Sequence, residues 1–209
     1  MTNIDLIAPP EPFSAIIFDC DGTLADTMPT HFDAWLTALR SFGADMTETE
    51  FYGWAGVPTD GIIQALNERY GYNLDVRQTH SVKEQRYKEL VKSVREIEAV
   101  TDIVRRYHGK VPLAVASGGT RDIVDATLTA VGLIAYFDVI VAADDVVNGK
   151  PSPDIFLLAA EKMGVDAADC VVYEDGEPGI KGAKAAGMRV VDVRVLWGGA
   201  AGPSLVGAR

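Results

Sequence analysis

The sequence predicts an α/β protein, a doubly wound Rossmann-like parallel sheet with a helical segment inserted after its first strand. Two observations lead there. Short apolar runs that end at polar residues alternate with amphipathic stretches of crossover length, as buried parallel strands and their connecting helices do. The one long interval that breaks this alternation, Met28 to Glu96, contains no strand-like run and shows apolar residues at helical spacing.

The first run is Ser14 to Asp19 (SAIIFD), following a Pro-rich start. Val111 to Ala116 (VPLAVA), Phe137 to Ala142 (FDVIVA), Cys170 to Tyr173 (CVVY) and Met188 to Val193 (MRVVDV) repeat its character. Between them, Thr120 to Val131, Pro153 to Met163 and Pro178 to Ala186 read as crossover helices. Within the insertion, His31 to Phe42, Thr59 to Tyr70 and Val82 to Val94 read as helices. The expected division is a catalytic core of residues 1–28 and 97–209 and a helical domain of residues 29–96. The tail from Gly198 is rich in small residues, reads as flexible and is assigned no structure.

The 209 residues are 48% hydrophobic, enough to bury a substantial core and a modest second one. A formal net charge of −11 repels phosphate backbones and anionic headgroups, so nucleic acid and membranes are poor partners. Cys20 and Cys170 are too few for a disulfide framework and form no CxxC pair. Neither a signal-like N-terminus nor an apolar run of roughly 18 residues is visible, and a cytoplasmic monomer is the default expectation.

In open parallel sheets, ligands bind beyond the carboxyl ends of the strands. There the sequence places Asp19-Cys20-Asp21-Gly22-Thr23, then Ser117-Gly118-Gly119, then Gly149-Lys150-Pro151, then Glu174-Asp175. Four carboxylates, a hydroxyl and an ammonium suit phosphoryl transfer, which demands an in-line nucleophile, neutralisation of the phosphoryl oxygens and a proton for the leaving oxygen. Carboxylates alone repel a phosphate, so a hard divalent cation is required among them, and all-oxygen ligands point to Mg²⁺. Asp19 is the expected nucleophile. Asp21, two residues on, is the expected acid and base. Lys150 offsets negative charge, Ser117 and the amides around Gly118 hold phosphoryl oxygens, and Asp175 binds the metal. Glu174 either ligates the metal or orients a water on it. Read instead as an EF-hand, Asp19 would require glycine at its sixth position and glutamate at its twelfth, where Leu24 and Thr30 stand. Ser117 alone would read as a cap for the helix at Thr120. Cys20 alternates away from its two aspartate neighbours and reads as a packed thiol.

DCDGT at Asp19 to Thr23, Ser117 after a strand, GKPSPD at Gly149 to Asp154, and YEDGEPGI at Tyr173 to Ile180 followed by AAGM at Ala185 to Met188 together resemble the haloacid dehalogenase superfamily over residues 14–195. The resemblance implies an aspartyl-phosphate at Asp19, metal held by Asp19, the backbone carbonyl of Asp21 and Asp175, and a helical cap that closes over a small phosphorylated substrate and excludes water. THFDAW at Thr30 to Trp35 resembles the first cap helix of sugar phosphatases and β-phosphoglucomutases. His31 is therefore a candidate for cap closure or proton relay, and Trp54 and Lys83 for substrate contact. β-Phosphoglucomutases share Gly56-Val57-Pro58 but carry arginine where this chain has Thr59, and losing that bidentate phosphate donor favours hydrolysis. The resemblance points most closely to fructose-1-phosphate phosphatases, with phosphoglycolate phosphatases nearby. A dehalogenase needs neither a proton donor at Asp21 nor a full metal site. A receiver-type signalling domain carries its phosphorylated aspartate on the third strand and has no helical insertion.

Overall fold

The computed structural model describes residues 3–54 and 57–198. In chain order the elements are α1 (Asn3–Leu6), β1 (Ala15–Phe18), α2 (Met28–Ser41), α3 (Glu48–Gly53), α4 (Thr59–Tyr70), α5 (Val76–Leu90), α6 (Glu98–Tyr107), β2 (Leu113–Ala116), α7 (Arg121–Ala130), β3 (Val139–Val141), α8 (Asp154–Met163), β4 (Cys170–Glu174), α9 (Glu177–Ala185) and β5 (Arg189–Asp192), with short 3-10 turns between some of them. The five strands form one parallel sheet in the order β3-β2-β1-β4-β5.

The pleat of β1 explains the layering. Its four residues are all fully buried. Ile16 and Phe18 point into a core shared with Val100, Ile103 and Val104 of α6 and Val124 and Leu128 of α7. Ala15 and Ile17 point the other way, onto Ile155, Phe156 and Ala159 of α8 and Ala183 of α9. A strand buried on both faces must be apolar throughout, which is why it reads as a continuous run. The chain thus winds from β1 through β2 to β3 with helices on one face, then returns through β4 and β5 with helices on the other. The winding direction reverses between β1 and β4, and this is the position where such sheets bind ligands.

All five expected strands are present, each within a few residues of its apolar run. The helices between β1 and β2 depart further from expectation. α5 starts at Val76 rather than Val82, because the Asp75 carboxylate accepts from the Gln78 amide at 2.8 Å and fixes the helix start a turn and a half earlier. α3 is set by a capping box between Thr47 and Glu50. α6 lies just beyond the expected boundary at residue 96 and packs on the sheet. α2, α3 and α4 share a separate core of Trp35, Leu39, Phe51, Ile63 and Leu66. The two stretches of chain entering and leaving these helices are tied together: Ala25 bridges both Asp21 and Glu96, the Asp26 amide donates to the Arg95 carbonyl, and the Ile97 amide to Leu24. The tail beyond Gly198 and Gly56 lie outside the described residues. Among the described residues no helix is long and apolar enough to cross a membrane.

Candidate active site

Asp19 is delivered to the sheet edge by β1, and its amide is anchored to the Tyr173 carbonyl of β4 at 3.0 Å. Its carboxylate is buried and accepts from the Lys150 ammonium at 2.6 Å. The same ammonium donates to Glu174 at 2.6 Å, and it lies 5.2 Å from the Phe156 ring centre. Glu174, at the end of β4, also accepts from the Gly176 amide at 2.6 Å. Its carboxylate lies against Gly179 in the first turn of α9: a methyl group on Gly179 would stand 1.6 Å from a carboxylate oxygen, so only glycine fits. Asp175 accepts from the Thr23 hydroxyl at 3.1 Å, and Gly22, at φ +81°, passes so close that a Cβ there would stand 2.3 Å from it.

Asp19, Glu174 and Asp175 bring carboxylate oxygens within 4.8 Å of one another. Asp19 and Glu174 share one ammonium with Asp175 close by, and the crowding shifts the acidity of Asp19 and Asp175. Burial pushes Asp19 well above the usual carboxylate range; Lys150 opposes this, and Glu174, Asp175 and Asp21 add to it. Burial and then Glu174 push Asp175 up to about 7. Burial alone would lower the Lys150 ammonium, but the two carboxylates outweigh it and hold it above its ordinary value. Such a cluster fits a hard divalent cation by donor type, burial and unbalanced charge.

A second group faces the first across the β2 loop. The Ser117 hydroxyl is buried and accepts from the Gly119 amide at 3.1 Å. This closes a turn ahead of α7 and does not cap that helix, whose first amide, on Arg121, donates instead to Asp144 at 2.6 Å. A methyl on Gly119 would stand 3.5 Å from the Ser117 hydroxyl and 3.7 Å from the Asp21 carboxylate, so those two groups approach the same point. Gly118 is exposed beside them with open space over its Cα. Asp21 accepts from Nε2 of His31 at 3.1 Å. Burial would raise Asp21, but His31 and Lys83 outweigh it and hold its pKa below the usual value. Burial and Lys83 likewise lower His31. Lys83 is 6% exposed, forms no ion pair among the described residues and lies 5.9 Å from the Trp35 ring centre. Burial lowers its pKa while Asp21 and Glu84 oppose the shift.

The fold therefore gathers Asp19, Lys150, Glu174 and Asp175 in one cluster and Asp21, Ser117 and His31 in another beside it. Trp54 is half-buried against the apolar core of α2, α3 and α4. Cys20 is buried in the sheet core, as alternation requires. Thr23, Tyr87 and Thr127 carry weight that the sequence reading missed; only Thr23, inside DCDGT, had a local signal.

The family profile described as haloacid dehalogenase-like hydrolase matches residues 16–193. The chain belongs to the haloacid dehalogenase-like hydrolases. Within that family it is 41% identical to fructose-1-phosphate phosphatase YqaB of Escherichia coli K12, over 89% of this chain and 99% of that one. It is 34% identical to a phosphorylated carbohydrates phosphatase of Thermotoga maritima, over 83% and 82% of the two chains. Among solved structures, CbbY from Rhodobacter sphaeroides in complex with phosphate superposes with a TM-score of 0.78 at 27% identity, covering 86% of this chain and 85% of that one. These likenesses span the sheet and the helices between β1 and β2 alike.

Proposed function

We propose that the protein is a phosphoric monoester hydrolase acting on a small phosphorylated sugar, with fructose 1-phosphate the leading candidate. The observation that carries this reading is the Asp19 carboxylate, buried at the end of β1 against Lys150 and beside Glu174 and Asp175, in a chain 41% identical to a fructose-1-phosphate phosphatase. Asp19 attacks phosphorus and becomes an aspartyl-phosphate. Asp21 takes up a proton as the anionic phosphate arrives beside it, gives that proton to the departing sugar oxygen, then takes one from the water that hydrolyses the intermediate. Ser117 and the amides around Gly118 hold phosphoryl oxygens, and Lys150 balances charge on nucleophile and phosphate. Asp19, the backbone carbonyl of Asp21 and Asp175 would hold Mg²⁺, with Glu174 near enough to join them or orient a water. The ion supplies positive charge where the substrate phosphate meets these anions.

Residues 29–96 are read as the cap, His31 and Lys83 as its contacts with the reacting region, and Trp54, half-buried against the cap core, as a further substrate contact. The crossed linkers at Asp21, Ala25 and Glu96 support one hinge for the whole segment. A mutase is the second reading; it must grip a second phosphate in the cap, and Thr59 at the start of α4 offers no guanidinium for it. Two buried thiols, Cys20 and Cys170, fit a reducing cytoplasm, and a monomer completes the proposal.

The test is a panel of sugar phosphates and phosphoglycolate with Mg²⁺, with and without a bisphosphate activator. Hydrolysis of fructose 1-phosphate with the highest kcat/KM and no need of activator is expected, and Asp19→Asn should lower kcat by about 10⁴-fold or more, as removing a nucleophile does. Activator-dependent interconversion of glucose phosphates would replace hydrolase by mutase. A folded Asp19→Asn protein that keeps the parent's rate would end both readings.

A further inference from the structure

The ring of His31 is aimed at Asp21 by one hydrogen bond, and its other nitrogen, Nδ1, is buried without a partner among the described residues. A ring held at one atom is free to swing about its Cβ–Cγ bond unless something holds its plane. That something is Tyr87 on α5: the two rings stack with centres 4.1 Å apart and planes 13° from parallel. Tyr87 is itself fully buried, and its hydroxyl meets the Thr127 hydroxyl of α7 at 2.8 Å. The Thr127 proton goes to the Ile123 carbonyl at 2.8 Å, so Tyr87 is the donor to Thr127. A continuous line therefore runs from core helix α7 through α5 and α2 to Asp21.

The surroundings make this polar pair conspicuous. Around it lie Ala25, Ala34, Val91, Val94 and Ile123, an apolar seam in which phenylalanine and valine would fill the same volume with no hydrogen bond to satisfy. Replacing both partners of a buried hydrogen bond by apolar groups of like shape is close to neutral for stability, so stability alone does not account for the pair. What the pair adds is direction, since it fixes where the Tyr87 ring stands relative to the core.

We propose that Tyr87, held by Thr127, is a positioning residue that orients His31 and through it the Asp21 carboxylate toward the leaving oxygen of the substrate. This rests on the phosphatase reading above. A carboxyl group matters most when the departing oxygen is strongly basic, as in a sugar alkoxide, and least when it is a nitrophenolate. kcat/KM covers steps up to departure of that group and so isolates the effect.

The experiment measures kcat/KM of the full chain with Mg²⁺ on fructose 1-phosphate and on p-nitrophenyl phosphate. Tyr87→Phe and Thr127→Val, which keep the packing, should each lose about threefold on the sugar phosphate, and Tyr87→Leu about tenfold, less than the roughly 10²-fold or more that a general acid contributes, because the acid is misaligned and not removed. On p-nitrophenyl phosphate all three should stay within about twofold of the parent. Tyr87→Leu placed on His31→Ala should cost nothing further, because residues acting through one another are not additive. Equal losses on both substrates, additive losses in the double variant, or parent rates throughout would overturn the proposal. Asp19→Asn is run alongside: if it is dead on both substrates while the Tyr87 and Thr127 variants match the parent, only this inference fails. If Asp19→Asn turns over like the parent, the phosphatase reading falls and takes the inference with it.

Discussion

At the sheet edge, buried charges meet partners: Lys150 reaches both Asp19 and Glu174 at 2.6 Å, and Glu174 also takes the Gly176 amide. In the helices between β1 and β2, the buried polar groups meet few. Lys83 has no ion pair among the described residues, and the Thr79 hydroxyl and Nδ1 of His31 have no hydrogen-bond partner there. The buried face of α5 is Thr79, Lys83 and Tyr87, where an ordinary packing helix would carry leucine or isoleucine. One region is electrostatically tied down before any substrate arrives; the other keeps several polar atoms out of water with no partner among the described residues. The first arrangement suits chemistry common to many substrates, the second suits recognition of one.

Removing an ammonium separates the two regions most sharply at Lys150. Lys150→Met leaves Asp19 and Glu174 buried beside one another with no counter-charge, and breaking a buried pair in this way costs about 3–5 kcal/mol. Urea unfolding without divalent cation should show a loss of that size, and phosphatase activity should vanish. A variant as stable as the parent would show that the sheet-edge charges are not held together as the distances imply.

The same contrast governs what the sequence could reveal. β1, β2 and β4 were legible because a parallel strand buried on both faces has no choice but to be apolar, and the partly buried edge strands β3 and β5 were legible from their short valine and isoleucine runs; the chemistry-bearing residues follow the strands directly. Asp19, Asp21, Ser117, Lys150, Glu174 and Asp175 all stand at strand ends or in the next loop, so locating the strands located them. The helices were legible only in outline. The start of α5 is set by an Asp75 side chain acting on one amide, a local contact that periodicity does not register, and α6, which falls on the core side of the expected boundary, was not read as a helix at all. Trp54 reads equally well as a substrate contact or a packing residue, and its half-buried place against the core of α2, α3 and α4 is compatible with either. Tyr87 and Thr127 lie forty residues apart on different helices, and no sequence pattern joins them.

Lys83→Met tests the other half of the comparison. It removes an unpaired buried ammonium and leaves a side chain of similar length against Trp35, so stability should change by less than about 1 kcal/mol or rise. Activity should respond instead, with KM for the sugar phosphate raised about tenfold, the loss of one charged contact to substrate. Unfolding midpoints and steady-state kinetics on the same preparation decide it. A large loss of stability with KM unchanged would make Lys83 a structural residue and dissolve the distinction between the two regions.

The smallest effect lies on the outer side of α5, where His80 reaches Asp60 of α4 at 2.6 Å and Glu84 at 3.0 Å, and Glu84 accepts from Thr120 of the core at 2.9 Å. Burial on its own would lower the His80 pKa, but the two carboxylates outweigh it and raise it above the ordinary value. A histidine whose pKa is higher folded than unfolded stabilises the fold fully below the unfolded value, about 6.5, and the contribution disappears as pH rises through the folded value. Asp60 is more than half exposed, so solvent screening limits the gain to about 0.5 kcal/mol. The parent should therefore exceed His80→Gln in urea midpoint at pH 5.5 and match it at pH 8.5. A difference that stays constant between those values would mean that packing, and not the charge on His80, joins α4 and α5.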